Sequence, residues 1–140
     1  MVAVRITPAD RWFSMCVRTR ADNRCERCGG MPSPGGLHCS HFHGRGKWSV
    51  RFDPENATSL CYGCHAYFGS HPVLHSQWQA ENMGLYRFES LQERANDLGR
   101  ARVARREAKA IAAHYRCQFN IMLEKRSQGE TGRIEFVGYL

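Results

Sequence analysis

The chain has 140 residues and a formal net charge of +7, with 20 basic residues, most of them arginine. This length favours a single domain, residues 1–140, with a modest core to which a structural metal ion would be a useful addition. The sequence has no apolar leader and no segment long enough to span a bilayer, which argues against a secreted or membrane protein. We therefore expect a cytoplasmic protein with a polyanionic partner, for which DNA is the first candidate.

The first predicted element is an N-terminal helix within residues 8–24. Thr7 is a suitable N-cap, Pro8 can occupy the first turn without losing a hydrogen bond, and Asp10 places an acid there. The apolar side chains recur at helical spacing and predict a buried face that includes Cys16.

Two CxxC pairs delimit the central region, residues 25–72. The pairs are Cys25 with Cys28 and Cys61 with Cys64. In a reducing compartment such pairs are more often metal ligands than disulfides, and four thiolates suit tetrahedral Zn²⁺. The sequence therefore predicts a structural zinc site.

Short elements separated by glycine and proline fill the space between the pairs. We expect strands at Gly36–Phe42 and Trp48–Phe52, joined by a Gly-Arg-Gly turn, and a short helix after Cys61. Together with the flanking helices, these elements predict an α+β fold with a zinc-bound ββα centre.

A helical extension is predicted over residues 73–126. It comprises helices near Val73–Asn82 and Leu85–Asp97 and one long helix at Arg102–Arg126, followed by a tail, residues 127–140. The long helix has an apolar stripe, on which Cys117 is expected to be buried. A basic face on the same helix could follow a phosphate backbone: Arg102, Arg105, Arg106 and Lys109.

Three polar side chains in the central region could support phosphodiester hydrolysis. A neutral His41 could act as general base, His65 could hold a catalytic divalent ion, Mg²⁺ or Mn²⁺, and Asn56 could fix the loop that orients His41. The turn at Arg45 and Lys47, followed by Arg51, combines cations with glycine and predicts a DNA contact.

This His…Asn…His order between CxxC pairs resembles the HNH (ββα-metal) nucleases, and most closely the lambdoid phage NinG (Rap) recombination nucleases. Phage endonuclease VII is similar at a greater distance. The segments CERCGG, SHF, RFDPEN and CYGCH carry the resemblance over about Cys25 to Pro72. It implies a metal-dependent endonuclease for branched DNA such as Holliday junctions, acting in the host cytoplasm if the gene is phage-encoded.

One position departs from the resemblance. Endonuclease VII has an acidic metal ligand just before its base histidine, where this chain has Ser40. The second ligand of the catalytic ion is therefore open, and His71 is preferred because it follows His65 closely. The other candidates are His38, Cys39, His43 and Asp53.

Two other functions fit the same residues. One is a sequence-specific HNH nickase or restriction-type nuclease, and the other is a zinc-dependent DNA-binding protein without catalysis. A homodimer would suit a two-fold symmetric junction, and the apolar stripe of the long helix could serve as core or as interface.

Overall fold

The computed structural model describes residues 3–33 and 35–140. Within these residues the fold is α+β, with six helices and a two-stranded antiparallel sheet. The elements in chain order are α1 (Pro8–Arg20), β1 (Leu37–His41), β2 (Ala57–Cys61), α2 (Tyr62–Ser70), α3 (Pro72–Met83), α4 (Leu85–Ala95), α5 (Leu98–Arg106) and α6 (Ala108–Ser127). None of the described helices is both long and apolar enough to cross a membrane.

Helix α1 begins with a reciprocal capping box. The Thr7 hydroxyl accepts a hydrogen bond from the Asp10 backbone N–H, and the Asp10 carboxylate accepts one from the Thr7 N–H at 2.8 Å. These bonds satisfy amides that lack a partner in the first turn. The apolar face that follows, with Phe13, Cys16 and Val17 fully buried, packs against α6.

The second predicted strand is wrong. β1 pairs with β2, so that His38 lies opposite Leu60 and His41 opposite Ala57. The segment Trp48–Val50 is instead a 3-10 turn. Apolar and polar residues alternate here as in a half-exposed strand, but Ser49 and Arg51 are both buried and hydrogen-bonded to other parts of the chain.

The long C-terminal helix is interrupted at Glu107, so the prediction of one continuous helix is also wrong. Glu107 has φ −105° and ψ 27°, and its carboxylate accepts hydrogen bonds from Tyr139 and Arg106. The interruption lets α5 pack on the Trp48–Val50 turn while α6 packs on α1. It depends on a contact with the tail, which local helix propensity does not report.

The tail completes the largest core cluster. Ile134 and Phe136 are buried, and the Ile134 N–H donates to the Arg20 carbonyl at 3.2 Å. Phe13 lies edge-on to Phe136 and to Tyr115, and the Tyr115 hydroxyl donates to the Phe52 carbonyl. The core therefore holds the end of the loop that connects the two strands.

Candidate functional site

Four cysteines converge beside the sheet. The sulfurs of Cys25, Cys28, Cys61 and Cys64 all lie within 4.8 Å of one another, as a shared metal ion requires. The Cys28 and Cys61 sulfurs are 3.9 Å apart, close to the roughly 3.8 Å expected for two thiolates at about 2.3 Å from a tetrahedral zinc. The group could hold a structural zinc, consistent with the sequence prediction.

Local structure prepares Cys61 and Cys25 to bind a metal, whereas burial raises the pKa of the Cys64 thiol to about 12. Cys61 ends β2 and caps α2, and its sulfur accepts the Cys64 N–H at 3.4 Å. Burial raises the pKa of the Cys25 thiol, but hydrogen bonds from the backbone of Cys28 and Cys61 outweigh this and lower it to about 7. A thiol that ionises near neutral pH is a ready metal ligand.

The His41 imidazole is held by one nitrogen. Nε2 lies 3.0 Å from the Arg51 carbonyl oxygen, which can only accept, so Nε2 carries the hydrogen. Nδ1 is enclosed and has no partner among the described residues. Burial and the nearby charge of Arg45 lower the pKa of His41 to about 4, so the ring is neutral at pH 7 with a free electron pair on Nδ1.

Asn56 fixes the loop that carries this carbonyl. It is fully buried, its Oδ1 accepts the His43 N–H at 2.9 Å, and its Nδ2 donates to the carbonyls of His43 and Val50. One amide thus joins the beginning and the end of the turn between residues 43 and 50. The predicted loop-fixing contacts of Asn56 are present, next to the carbonyl that binds His41.

The partner of His65 is His38. Their Nδ1 atoms are 2.9 Å apart, and the rings lie nearly perpendicular. Burial lowers the pKa of His65, and the charges of His38 and Arg45 lower it further. The lowered pKa biases the His65 imidazole toward the neutral form that binds metals.

His71, the preferred second ligand, does not join this pair. Its ring stacks on Tyr67 at 4.3 Å, and its Nδ1 lies 2.8 Å from the Tyr67 carbonyl. Six residues turn a helix by about 600°, so His65 and the residue after the end of α2 point to different sides. His38, named only as an additional candidate from sequence, occupies the place expected for His71.

The other candidate ligands have different partners. His43 contacts Gln92 at 2.7 Å, and Asp53 accepts hydrogen bonds from Arg94 and Arg100. Cys39 is buried in the core, where burial raises the pKa of its thiol. Within the described residues, the cysteine group is the one set of three or more metal-ligating side chains that converge.

His41 and His65 lie on different sides of the sheet. Positions 38 and 41 are three apart on one strand, so their side chains leave opposite faces. His41 lies against Phe13 of α1, whereas His38 faces α2. Among the described contacts none joins His41 to His65, although the charge of Arg45 acts on both rings.

Arg51 is a structural residue, and the prediction that it contacts DNA is wrong. Its side chain is 2% exposed and donates to both carboxylate oxygens of Asp10, at 3.0 and 2.7 Å. It also lies over Trp48 at 4.2 Å from the ring centre. Asp10 was identified from sequence only as a helix-capping acid, because nothing local signals its buried arginine partner.

The remaining predicted DNA contacts are accessible. Arg45 is partly exposed, and Lys47 is exposed beside it. Four more cations lie exposed on α5 and the first turn of α6: Arg102, Arg105, Arg106 and Lys109. The Arg105 guanidinium lies 5.7 Å from the Trp48 ring centre, so this basic surface reaches the loop that carries Arg45.

Comparisons with protein-family models, with curated proteins and with solved structures give no match to this chain. The resemblance to zinc-bearing HNH nucleases therefore rests on the sequence motifs alone.

Proposed function

We propose that this protein is a metal-dependent DNA endonuclease of the HNH type that acts on branched DNA. The observation that carries the proposal is the state of His41. Its Nε2–H is fixed by a backbone carbonyl, and that carbonyl belongs to a loop fixed by Asn56. Nδ1 is unprotonated and has no hydrogen-bond partner in the described part of the chain. A general base needs such an orientation and such a free electron pair.

The second element of the proposal is a divalent ion at His38 and His65. Their 2.9 Å separation is close to the roughly 3.0 Å between neighbouring ligands at about 2.1 Å from an octahedral ion. Since His41 leaves the opposite face of the sheet from His38, the proposal requires the scissile phosphate to lie near Arg45, whose charge acts on both His41 and His65. An ion bound at His38 and His65 would there stabilise negative charge on that phosphate. Two imidazoles suit Mn²⁺ better than Mg²⁺, which prefers oxygen ligands.

The low pKa of His41 is compatible with this role only if substrate binding raises it. Burial and the positive charge of Arg45 depress the pKa. A DNA phosphate beside Arg45 would oppose that charge and bring the pKa nearer to neutrality, where a general base is most effective. The role also requires water to reach Nδ1 in the DNA complex.

DNA binding is proposed to follow the basic surface from Arg45 and Lys47 to α5. Exposed cations on one side of a small protein attract a phosphate backbone and release counterions, which makes the affinity salt-dependent. The preference for branched substrates rests on the motif resemblance described above.

The test compares a labelled four-way junction with a linear duplex of the same sequence, in Mn²⁺ and in Mg²⁺. We expect faster cutting of the junction, faster cutting in Mn²⁺, and a loss on the order of 10³ in rate for His41→Ala. His114→Ala is the matched control, because this half-buried histidine also lies against a backbone carbonyl, that of Val137, but belongs to α6 and has no proposed role in catalysis. Full activity of His41→Ala would refute the assignment of the base.

The alternative is a zinc-dependent DNA-binding protein without catalysis. The enclosed Nδ1 of His41 and the serine at position 40 favour it. Salt-sensitive binding of the junction without cleavage in any divalent ion from pH 6 to about 9 would support this alternative.

A further inference from the structure

One side of α6 is left uncovered. Its inner side, with Ile111, Tyr115 and Met122 fully buried, packs on α1. A second side is covered by the tail, since His114 and Gln118 bind the backbone of Val137 at 2.7 and 3.0 Å. The remaining side faces solvent along the helix.

This outer face of α6 is unusually apolar for an exposed surface of a basic protein. It presents Ala113, Cys117 and Ile121, and Ile121 is 45% exposed. With Trp12 at its border, the face forms a shallow cavity of about 840 Å³. The burial predicted for Cys117 is wrong, because this thiol lies on the outer face. Exposed apolar surfaces of this kind commonly bind another protein surface.

Three charged side chains line the same cavity: Arg116, Glu124 and Lys125. Two of them, Arg116 and Glu124, have a spacing that suits a second copy of the helix. Arg116 lies over the Trp12 ring, and Glu124 contacts Gln128. Within residues 3–33 and 35–140 neither side chain has an ion-pair partner. They are eight residues apart, or about 12 Å along the helix, and so cannot pair with each other in one chain.

A second antiparallel copy of α6 would bring these charges together. If a two-fold axis passes near Asn120, which lies midway between them, Arg116 of each copy faces Glu124 of the other. The same operation creates the pair twice, as an interface that uses one patch on both subunits requires. It also places Ile121 of each copy, one residue from the axis, against Ile121 and Cys117 of the other copy.

We propose that the outer face of α6 binds the same face of a second copy of this chain, antiparallel, about a two-fold axis near Asn120. The contact is small for a stable interface, so the dimer is expected to dissociate in the range of about 10 µM. This proposal does not depend on the nuclease function, and its test uses neither DNA nor a catalytic ion.

The first test is the molar mass of the zinc-loaded protein by sedimentation over a concentration series. We expect twice the 16.0 kDa chain mass at high concentration. Ile121→Glu should weaken the dimer at least about tenfold, because it places a charge among apolar side chains. Arg102→Glu, on α5, is the matched control and should have no effect. The mass of a single chain at all concentrations up to about 200 µM would overturn the proposal, and so would a dimer whose dissociation constant is unchanged by Ile121→Glu.

Charge reversal tests the antiparallel register. Arg116→Glu and Glu124→Arg should each weaken association about tenfold, and the double variant should restore it, because the reversed charges again face each other. Circular dichroism and zinc content confirm that each variant is folded. A double variant weaker than both single variants would exclude this register.

Cross-linking tests the axis. In a Cys117→Ser background, Asn120→Cys should form a disulfide-linked dimer under mild oxidation, because the two introduced thiols lie near the axis. Lys109→Cys is the control. Residue 109 lies eleven residues from the axis, so the two introduced thiols would be about 33 Å apart in the dimer. Equal cross-linking of the two variants would contradict the proposed arrangement.

Discussion

Asp10 and Arg51 form a buried ion pair on which both the fold and the position of His41 depend. Asp10→Ala leaves the Arg51 guanidinium, 2% exposed, without its counter-charge, and it also removes the capping box of α1. Loss of one partner of a buried pair costs about 3–5 kcal/mol, and loss of a cap about 1 kcal/mol. Since the free energy of unfolding of such domains is about 5–15 kcal/mol, Asp10→Ala should remove a large part of it.

Urea denaturation of the zinc-loaded protein measures this loss. Thr7→Ala is the matched control, because it removes a capping contact and leaves Arg51 paired, so it should cost only about 1 kcal/mol. The double variant Asp10→Leu, Arg51→Met should recover much of the loss, since apolar replacements leave no charge unpaired. Asp10→Ala costing no more than Thr7→Ala would refute the importance of the buried pair.

The same pair predicts a pH dependence. Burial raises the pKa of Asp10, but hydrogen bonds from Arg51 and Thr7 outweigh it, so the pKa lies below 3.8 in the folded state. A carboxyl with a depressed pKa stabilises the fold above its unfolded pKa, and this stabilisation is lost as the pH falls through the folded pKa. Arg51→Met should therefore flatten the fall in stability below about pH 4.

Three further predictions concern the site. Chelation of zinc, or Cys28→Ser, should lower the melting temperature strongly, whereas Cys117→Ser should not, as differential scanning calorimetry with metal analysis can check. His38→Ala should weaken Mn²⁺ binding at least about tenfold, as measured by isothermal titration calorimetry, whereas His71→Ala should leave it unchanged. Weaker binding in His71→Ala but not in His38→Ala would instead support His71 as the second ligand. An NMR pH titration of the His41 ring should give a pKa lowered from 6.5 to about 4. The free energy of unfolding should decline as the pH falls between these values, because the unfolded state binds the proton more readily.

Much of the site is visible in the sequence because it is encoded over short distances. A CxxC pair places two thiols on one turn, and Thr7 with Asp10 caps a helix within four residues. The short helix after Cys61 follows from the same local signals. Such features depend on backbone geometry alone, so they can be predicted before the rest of the fold is known.

Two of the errors in prediction involve partners distant in sequence. The segment at Trp48–Val50 has a strand-like pattern, but contacts from Asp10 and Asn56 fix it as a turn. Glu107 interrupts a helix that propensity would continue, because Tyr139 binds its carboxylate. In each case a tertiary contact outweighs a local preference of a fraction of a kcal/mol per residue.

From the sequence alone we could predict the four cysteines that could hold zinc, the capped first helix and the residues from which a site could be built. The contact of His38 with His65, the burial of Arg51 against Asp10 and the exposed side of α6 became visible only in the folded chain. These features depend on residues far apart in sequence: spacing fixes which side chains share a turn or a face, whereas packing fixes which faces meet.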